Sequence, residues 1–221
     1  DRLGVVMTAI AGGLASSTAV TLTLSRLAKE HPASSRLLSA GILIAGVVMM
    51  VRVGVVAVAL NAALLWPLAP PLAGAAVILA LGSALLLFGN TEQASPQLRI
   101  DNPLAIGTAL KLAIFIAVVM LAAEVLRQLF GNIGVLVLAA LSGIADVDAL
   151  TLSMARLGGK DIGLDTASLA ILIAVAVNTV SKAVMAASAG GRKVGLLVGG
   201  ISAVALAGGA AAAIWWPSQP L

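Results

Sequence analysis

Apolar residues in this chain form runs long enough to cross a bilayer, divided by short stretches of glycine, proline and charge. The first run spans about Leu3 to Leu27 and the second about Arg36 to Trp66, broken by Pro67, Pro70 and Pro71. The third covers about Leu72 to Phe88. Gly89 to Asn102 is the one long polar stretch, and Asp101-Asn102-Pro103 gives a capping side chain followed by proline at a helix start. The fourth run then covers about Leu104 to Leu129. Gly131-Asn132 turns the chain into a fifth, Ile133 to Leu157, which Gly158-Gly159 ends. Asp165 and Thr166 cap a sixth, reaching about Ser188. Gly190-Gly191-Arg192-Lys193 leads into a seventh that ends at the interfacial pair Trp215-Trp216. Each run approaches or exceeds the roughly 20 residues needed to span hydrocarbon as a helix. None alternates as a barrel strand would. The pattern predicts an all-α integral membrane protein with seven transmembrane helices.

The runs are not independent. Gly4 to Leu27 lies on Gly134 to Leu157 without a gap at an offset of 130, with ten of 24 pairs identical, including Gly13/Gly143, Thr21/Thr151 and Arg26/Arg156. Ile42-Leu43-Ile44-Ala45 repeats as Ile171-Leu172-Ile173-Ala174 at an offset of 129. One domain, 1–221, is therefore expected to hold repeat one (1–89), a linker loop and helix (90–130) and repeat two (131–216). Because the copies begin at spans one and five, both enter the membrane from the same side. That makes them parallel repeats, a 3+1+3 layout, rather than inverted ones.

Composition sharpens this reading. The chain is 61% hydrophobic and 10% charged, with mean hydropathy +1.13, too little polar surface for a soluble domain. Without cysteine there is no disulfide framework, thiolate metal site or cysteine nucleophile. The start, Asp1-Arg2-Leu3-Gly4, has neither an initiator Met nor a signal-peptide pattern and reads as a piece of a longer chain. A net charge of +4 calls for no nucleic-acid partner, since Arg and Lys beside spans are what membrane topology requires. Arg26, Lys29, Arg36, Arg99, Arg156 and Lys160 fall on one side, and Arg2, Arg127, Arg192 and Lys193 on the other. The positive-inside rule then puts the N-terminus outside and the C-terminus in the cytoplasm.

Candidate chemistry sits where the copies differ. Ser16-Ser17-Thr18 in the first faces Asp146-Val147-Asp148 in the second. Carboxylates at mid-span are costly and mark a pathway or a site. On an unbroken helix Asp146 and Asp148 lie roughly 200° apart, so they serve two faces or one wide cavity. Asp148 and Thr151 share a stripe, as do Asn178, Ser181, Lys182 and Met185. Arg52, Asn61, Lys111, Glu124 and Arg127 are the other notable polar positions. Plainer readings compete. Asp146 or Asp148 could pair with Lys182 or Arg52 and only hold helices together; Lys182 and Arg52 could snorkel; Ser16, Ser17 and Thr18 could be small packing residues; the paired glycines serve close helix contact. An enzyme is not expected. Carboxylates pointing apart cannot share a proton as an aspartyl dyad does, and His31, in a loop, is remote from the mid-span serines.

Gly13 to Thr21, Asp101-Asn102-Pro103-Leu104, Ser142 to Ser153, Asn178 to Lys182 and Gly190-Gly191-Arg192 together resemble the DUF4010 membrane domain. The resemblance implies the C-terminal half of an MgtC/SapB-related bacterial protein, with the MgtC-like N-terminal half missing here. It also implies a bacterial inner-membrane location and an association with magnesium homeostasis.

The residues and the resemblance lead to an expected membrane transport module for a small cation, Mg²⁺ or another divalent first. Asp146 and Asp148 would be the metal or proton site, and Asn178, Lys182, Ser16, Ser17, Thr18 and Thr151 would complete the pathway. No cofactor beyond the bound cation is expected. The partners are the lipid bilayer, the absent N-terminal half and a second copy in a homo-oligomer. A regulatory or assembly module binding another membrane protein, and a SWEET-like carrier of a neutral solute, remain open alternatives.

Overall fold

In the computed structural model, residues 2–88 and 106–215 are described, with the backbone alone for most of 106–127. The polar loop Gly89–Asn102, the Asp101-Asn102-Pro103 cap, Arg99 and Trp216 lie outside the described residues. So do the side chains of Lys111, Glu124 and Arg127. The described chain is helical: α1 Arg2–Glu30, α2 Ser35–Leu60, α3 Leu65–Phe88, α4 Ile106–Ala145, α5 Asp148–Leu157 and α6 Leu164–Trp215. Among the described residues the one β contact is an isolated bridge between Gly158 and Ile162. Five helical segments are long and apolar enough to cross a membrane. Large apolar side chains stand exposed along them, Leu85 at 73% and Leu141 at 61% for example, as lipid-facing residues do. This is a multi-pass helical membrane protein.

Two of the segments are longer than one crossing. At 52 residues, α6 would run about 78 Å if straight, more than twice a hydrocarbon core. Gly191, at φ 81° and ψ 177°, interrupts it where glycine alone is at ease. Gly131, at φ 61° and ψ −147°, interrupts α4 in the same way. Both lie at the glycine turns read from the sequence.

One boundary moves. The sequence reading ends the second span at the proline cluster, but the break comes earlier, at Asn61 (φ −150°), whose Oδ1 accepts from Ala63 N at 3.2 Å. Pro70 and Pro71 then lie inside α3. They are its sixth and seventh residues, past the first turn, so each leaves an i−4 carbonyl of that helix without its amide donor.

The helices gather into two compact units. The first holds α1, α2 through Arg52, α3 from Leu72, and Thr179–Ala212 of α6. The second holds Val53–Pro71 and the chain from α4 to Asn178. Inside each unit a glycine brings two backbones together. A Cβ on Gly13 would stand 3.2 Å from Ala45 Cα; one on Gly143 would stand 2.9 Å from Ala174 Cα and 2.6 Å from its carbonyl oxygen. These are the same pair of positions under the sequence offsets of 130 and 129. Burial follows the same register. All ten buried residues of α1, from Val5 to Ala28, map at +130 onto buried residues, among them Val135, Ala139, Thr151 and Met154. The buried positions of α1 and of residues 135–158 thus follow one register.

The two contacts differ in slack, which sets a test. Gly143→Ala drives a methyl into backbone that cannot swing away, so it should destabilise by about 1–3 kcal/mol. Gly13→Ala meets Ala45 Cα at 3.2 Å and Val48 Cβ at 3.3 Å, tight but without the overlap at Gly143, and should cost clearly less. Thermal unfolding of both variants in detergent checks the order; equal melting temperatures would contradict it.

Candidate functional site

Both copies of the repeat are broken at the same place. Ser16 has φ −160° and ψ 102° inside α1. Asp146, its partner at +130, lies in the gap between α4 and α5. The angles of one continuous helix therefore do not hold at Asp146 and Asp148: Asp146 lies in the break and Asp148 opens the next helix, so the 200° separation no longer applies.

A break in a helix frees amides on one side and carbonyls on the other, and at membrane depth each must find a partner. In α1, Ser16 Oγ accepts from Ala19 N at 3.2 Å, the geometry of a capping serine three residues before the amide it serves. The Gly13 and Leu14 carbonyls lose the amides of residues 17 and 18. Arg52 Nη1 donates to the Leu14 carbonyl and, at 3.4 Å, to that of Gly13. In the second copy Val147 N would reach Gly143 O in an unbroken helix. It donates instead to Asp146 Oδ1 at 2.9 Å. Gly143 O accepts from Asn178 Nδ2 at 3.0 Å. The half-helix α5 carries Asp148 in its first turn, a favourable place for a carboxylate beside a helix N-terminus.

Equivalent backbone groups are thus served by different chemistry. Gly13 O has a guanidinium, and Gly143 O a neutral amide. Thr21 Oγ1 donates to Ser17 O and Thr151 Oγ1 to Val147 O, both at 2.8 Å and at matching positions. The Thr151 hydroxyl keeps its lone pairs for another ligand but spends its proton on its own helix. Asp146 and Asp148 are half-buried, and neither is fully exposed.

Within the first unit Lys182, 4% exposed, donates to Ser17 Oγ at 2.7 Å and approaches Met49 Sδ at 2.9 Å. It lines a cavity of about 20 Å³ with Thr179, Ser202, Leu79 and Gly46, room for about one water. Lys182 is buried on a hydroxyl, and Arg52 turns back onto broken-helix carbonyls. Ser16 is exposed and Thr18 half-buried. The structure joins Ser17 with Lys182 in one unit and Asp146 with the Asn178-capped break in the other. Among the described residues no group of three His, Cys, Asp or Glu could hold a metal ion, so a divalent at Asp146 and Asp148 would draw further oxygens from backbone, hydroxyls or water.

Sequence reasoning missed Met49 and the carbonyl-capping role of Arg52. The signal for Met49 was present: at the second-helix offset it stands where Asn178 does in the other copy.

The family model for DUF4010, a domain of unknown function, matches residues 1–190. The chain belongs to the DUF4010 family. This DUF4010 chain is also similar to an uncharacterized protein of Aquifex aeolicus (strain VF5), 33% identical over 191 residues, which cover 85% of this chain and 83% of the relative. No solved structure matches. The family match includes both broken helices and the side chains that serve them.

Asn178 is buried at 1% exposure, and its amide is what satisfies Gly143 O. Asn178→Leu should therefore lower stability by about 1–3 kcal/mol, the cost of an orphaned buried carbonyl. Met49→Leu, at the matching position, should cost less than about 1.5 kcal/mol as a swap of similar volume. Melting temperatures of the two variants check the difference.

Proposed function

We propose that this chain is a membrane transport module for a small cation, with the break at Asp146 as its ion or proton site. The observation that carries it is the interruption between α4 and α5, with one carboxylate at the break and another in the following turn. Interrupted helices use freed carbonyls and half-helix ends to hold coupling ions in many transporters. Here the C-terminal end of the α4 half supplies carbonyl dipoles, and Asp146 and Asp148 supply charge. Thr151, five residues on, and Asn178, whose amide reaches Gly143 O, add neutral oxygens. Ser16, Ser17, Thr18 and Lys182 form the matching polar cluster of the first unit. Mg²⁺ is the first cation to try, because it binds through one or two carboxylates and keeps several waters. The bacterial inner membrane, and the link to MgtC/SapB-related proteins, belong to this reading. A regulatory module that binds another membrane protein is the second reading, favoured by the tight glycine contacts.

The same reading takes the breaks at Gly131 and Gly191 as turns between spans, giving seven crossings in a 3+1+3 arrangement. The equivalent Gly13–Ala45 and Gly143–Ala174 contacts support that layout.

In proteoliposomes, Asp146→Asn and Asp148→Asn should each cut cation flux at least tenfold while the protein still folds. Asn keeps the volume and one oxygen but not the charge that offsets ion dehydration. Full flux through a folded variant would remove that residue from the ion path.

Topology has its own check, simplified by the absence of cysteine. Ser188→Cys should react with a membrane-impermeant maleimide added to intact cells. Ala33→Cys should react only after permeabilisation. The reverse pattern inverts the orientation, and labelling of both from one side contradicts seven crossings.

A further inference from the structure

The two breaks fall at matching positions and differ in charge. At the Asp146 break the local side chains are carboxylates, and the carbonyl Gly143 O is served by a neutral amide. At the Ser16 break the matching positions are Ser16 and Thr18, with no carboxylate, and two cationic side chains come to its oxygens. Arg52 sits on the freed carbonyls of Gly13 and Leu14. Lys182 sits on Ser17 Oγ, the hydroxyl of the next residue. Neither cation has a counterpart in the other copy: Arg52 aligns with Ser181, and Lys182 with Val53. Freed carbonyls and hydroxyls in a low-dielectric setting form the oxygen cluster that attracts a hard cation. Here the chain delivers the positive charge itself.

We propose that the Ser16 break is a cation site held permanently by the chain's own Arg52 and Lys182, so that exchangeable cation binding is confined to the Asp146 break. The second clause rests on the transport reading above; the first stands without it. The repeat thus yields one binding half and one self-occupied half. The guanidinium does more than a neutral donor would, because two carbonyl dipoles converge on it, and a charge-assisted bond is about twice as strong as a neutral one.

The full chain in detergent tests this with four proteins: native, Arg52→Ala, Arg52→Gln and Arg52→Lys. Thermal unfolding is followed with and without low-millimolar methylguanidinium chloride, using sodium chloride at equal ionic strength and acetamide as controls. Arg52→Ala should lower Tm by roughly 5 °C. Methylguanidinium should recover about half of that loss in Arg52→Ala and leave the native protein unchanged, while acetamide does nothing. Arg52→Lys should stay closer to native than Arg52→Gln, a comparison that decides the matter even if the alanine variant does not fold. A glutamine variant as stable as native would overturn the proposal, since a neutral donor would then suffice. So would methylguanidinium acting equally on native and variant proteins.

A Mg²⁺ titration separates the two readings. A Mg²⁺-dependent rise in Tm that persists in the folded Arg52 variants but vanishes in Asp146→Asn supports confinement to the second break. A rise lost in Arg52→Lys but kept in Asp146→Asn would overturn that confinement. Guanidinium rescue without any Mg²⁺ response in the native protein would sink the transport reading and leave the self-occupied break standing.

Discussion

Hydrocarbon offers no partner for a backbone amide or carbonyl. That constraint bears directly on this structure, because helical backbone is interrupted at Ser16 inside α1 and at Asp146 between α4 and α5. Each unpaired group there costs several kcal/mol unless the protein supplies a donor or acceptor. The accounting around Val147 shows the constraint being met. Its amide goes to Asp146 Oδ1, and the carbonyl it would have served goes to Asn178. The break survives because side chains at fixed sequence positions replace what the ladder lost.

The same constraint explains why polar residues collect where they do. Ser16, Asp146, Arg52 and Asn178 are each tied to a backbone atom at a break. Lys182 is buried on Ser17 Oγ and Met49 Sδ. A buried ammonium resting on a hydroxyl and a thioether is costly, and such groups in membrane helices are commonly retained for function rather than stability.

Much of this was legible in the sequence. The offsets of 130 and 129 anticipated the two glycine seams, because packing that brings backbones together leaves glycine and alanine at both partners. Hydropathy anticipated the membrane helices, and the paired glycines at 190 and 191 anticipated a turn. The breaks were not legible. Ser16 and Asp146 both sit in stretches whose apolar content suits an unbroken helix, and nothing local forbids continuation. What interrupts them is tertiary: a donor from another helix makes the freed carbonyl affordable, and a single-helix reading cannot see it. For the same reason Arg52 looked like a residue reaching for the interface, since its carbonyl acceptors do not exist until α1 breaks. The proline cluster misled in the opposite way. Proline read as a terminator, whereas Asn61 ended α2 and two of the prolines fit inside α3.

The glycine seam has a mechanical consequence. Where Gly143 lies against Ala174 there is no side-chain cushion, and the two backbones interlock like toothed rails. Sliding one helix along the other would lift one backbone over the other's carbonyls. Each seam therefore binds its helix pair into a stiff lever. Any rearrangement of this chain must bend at the joints where the hydrogen-bond ladder is already cut. Ser16 and Asp146 are two of those joints, beside Asn61, Gly131 and Gly191, so side chains that cap the cut ladder also sit at hinges.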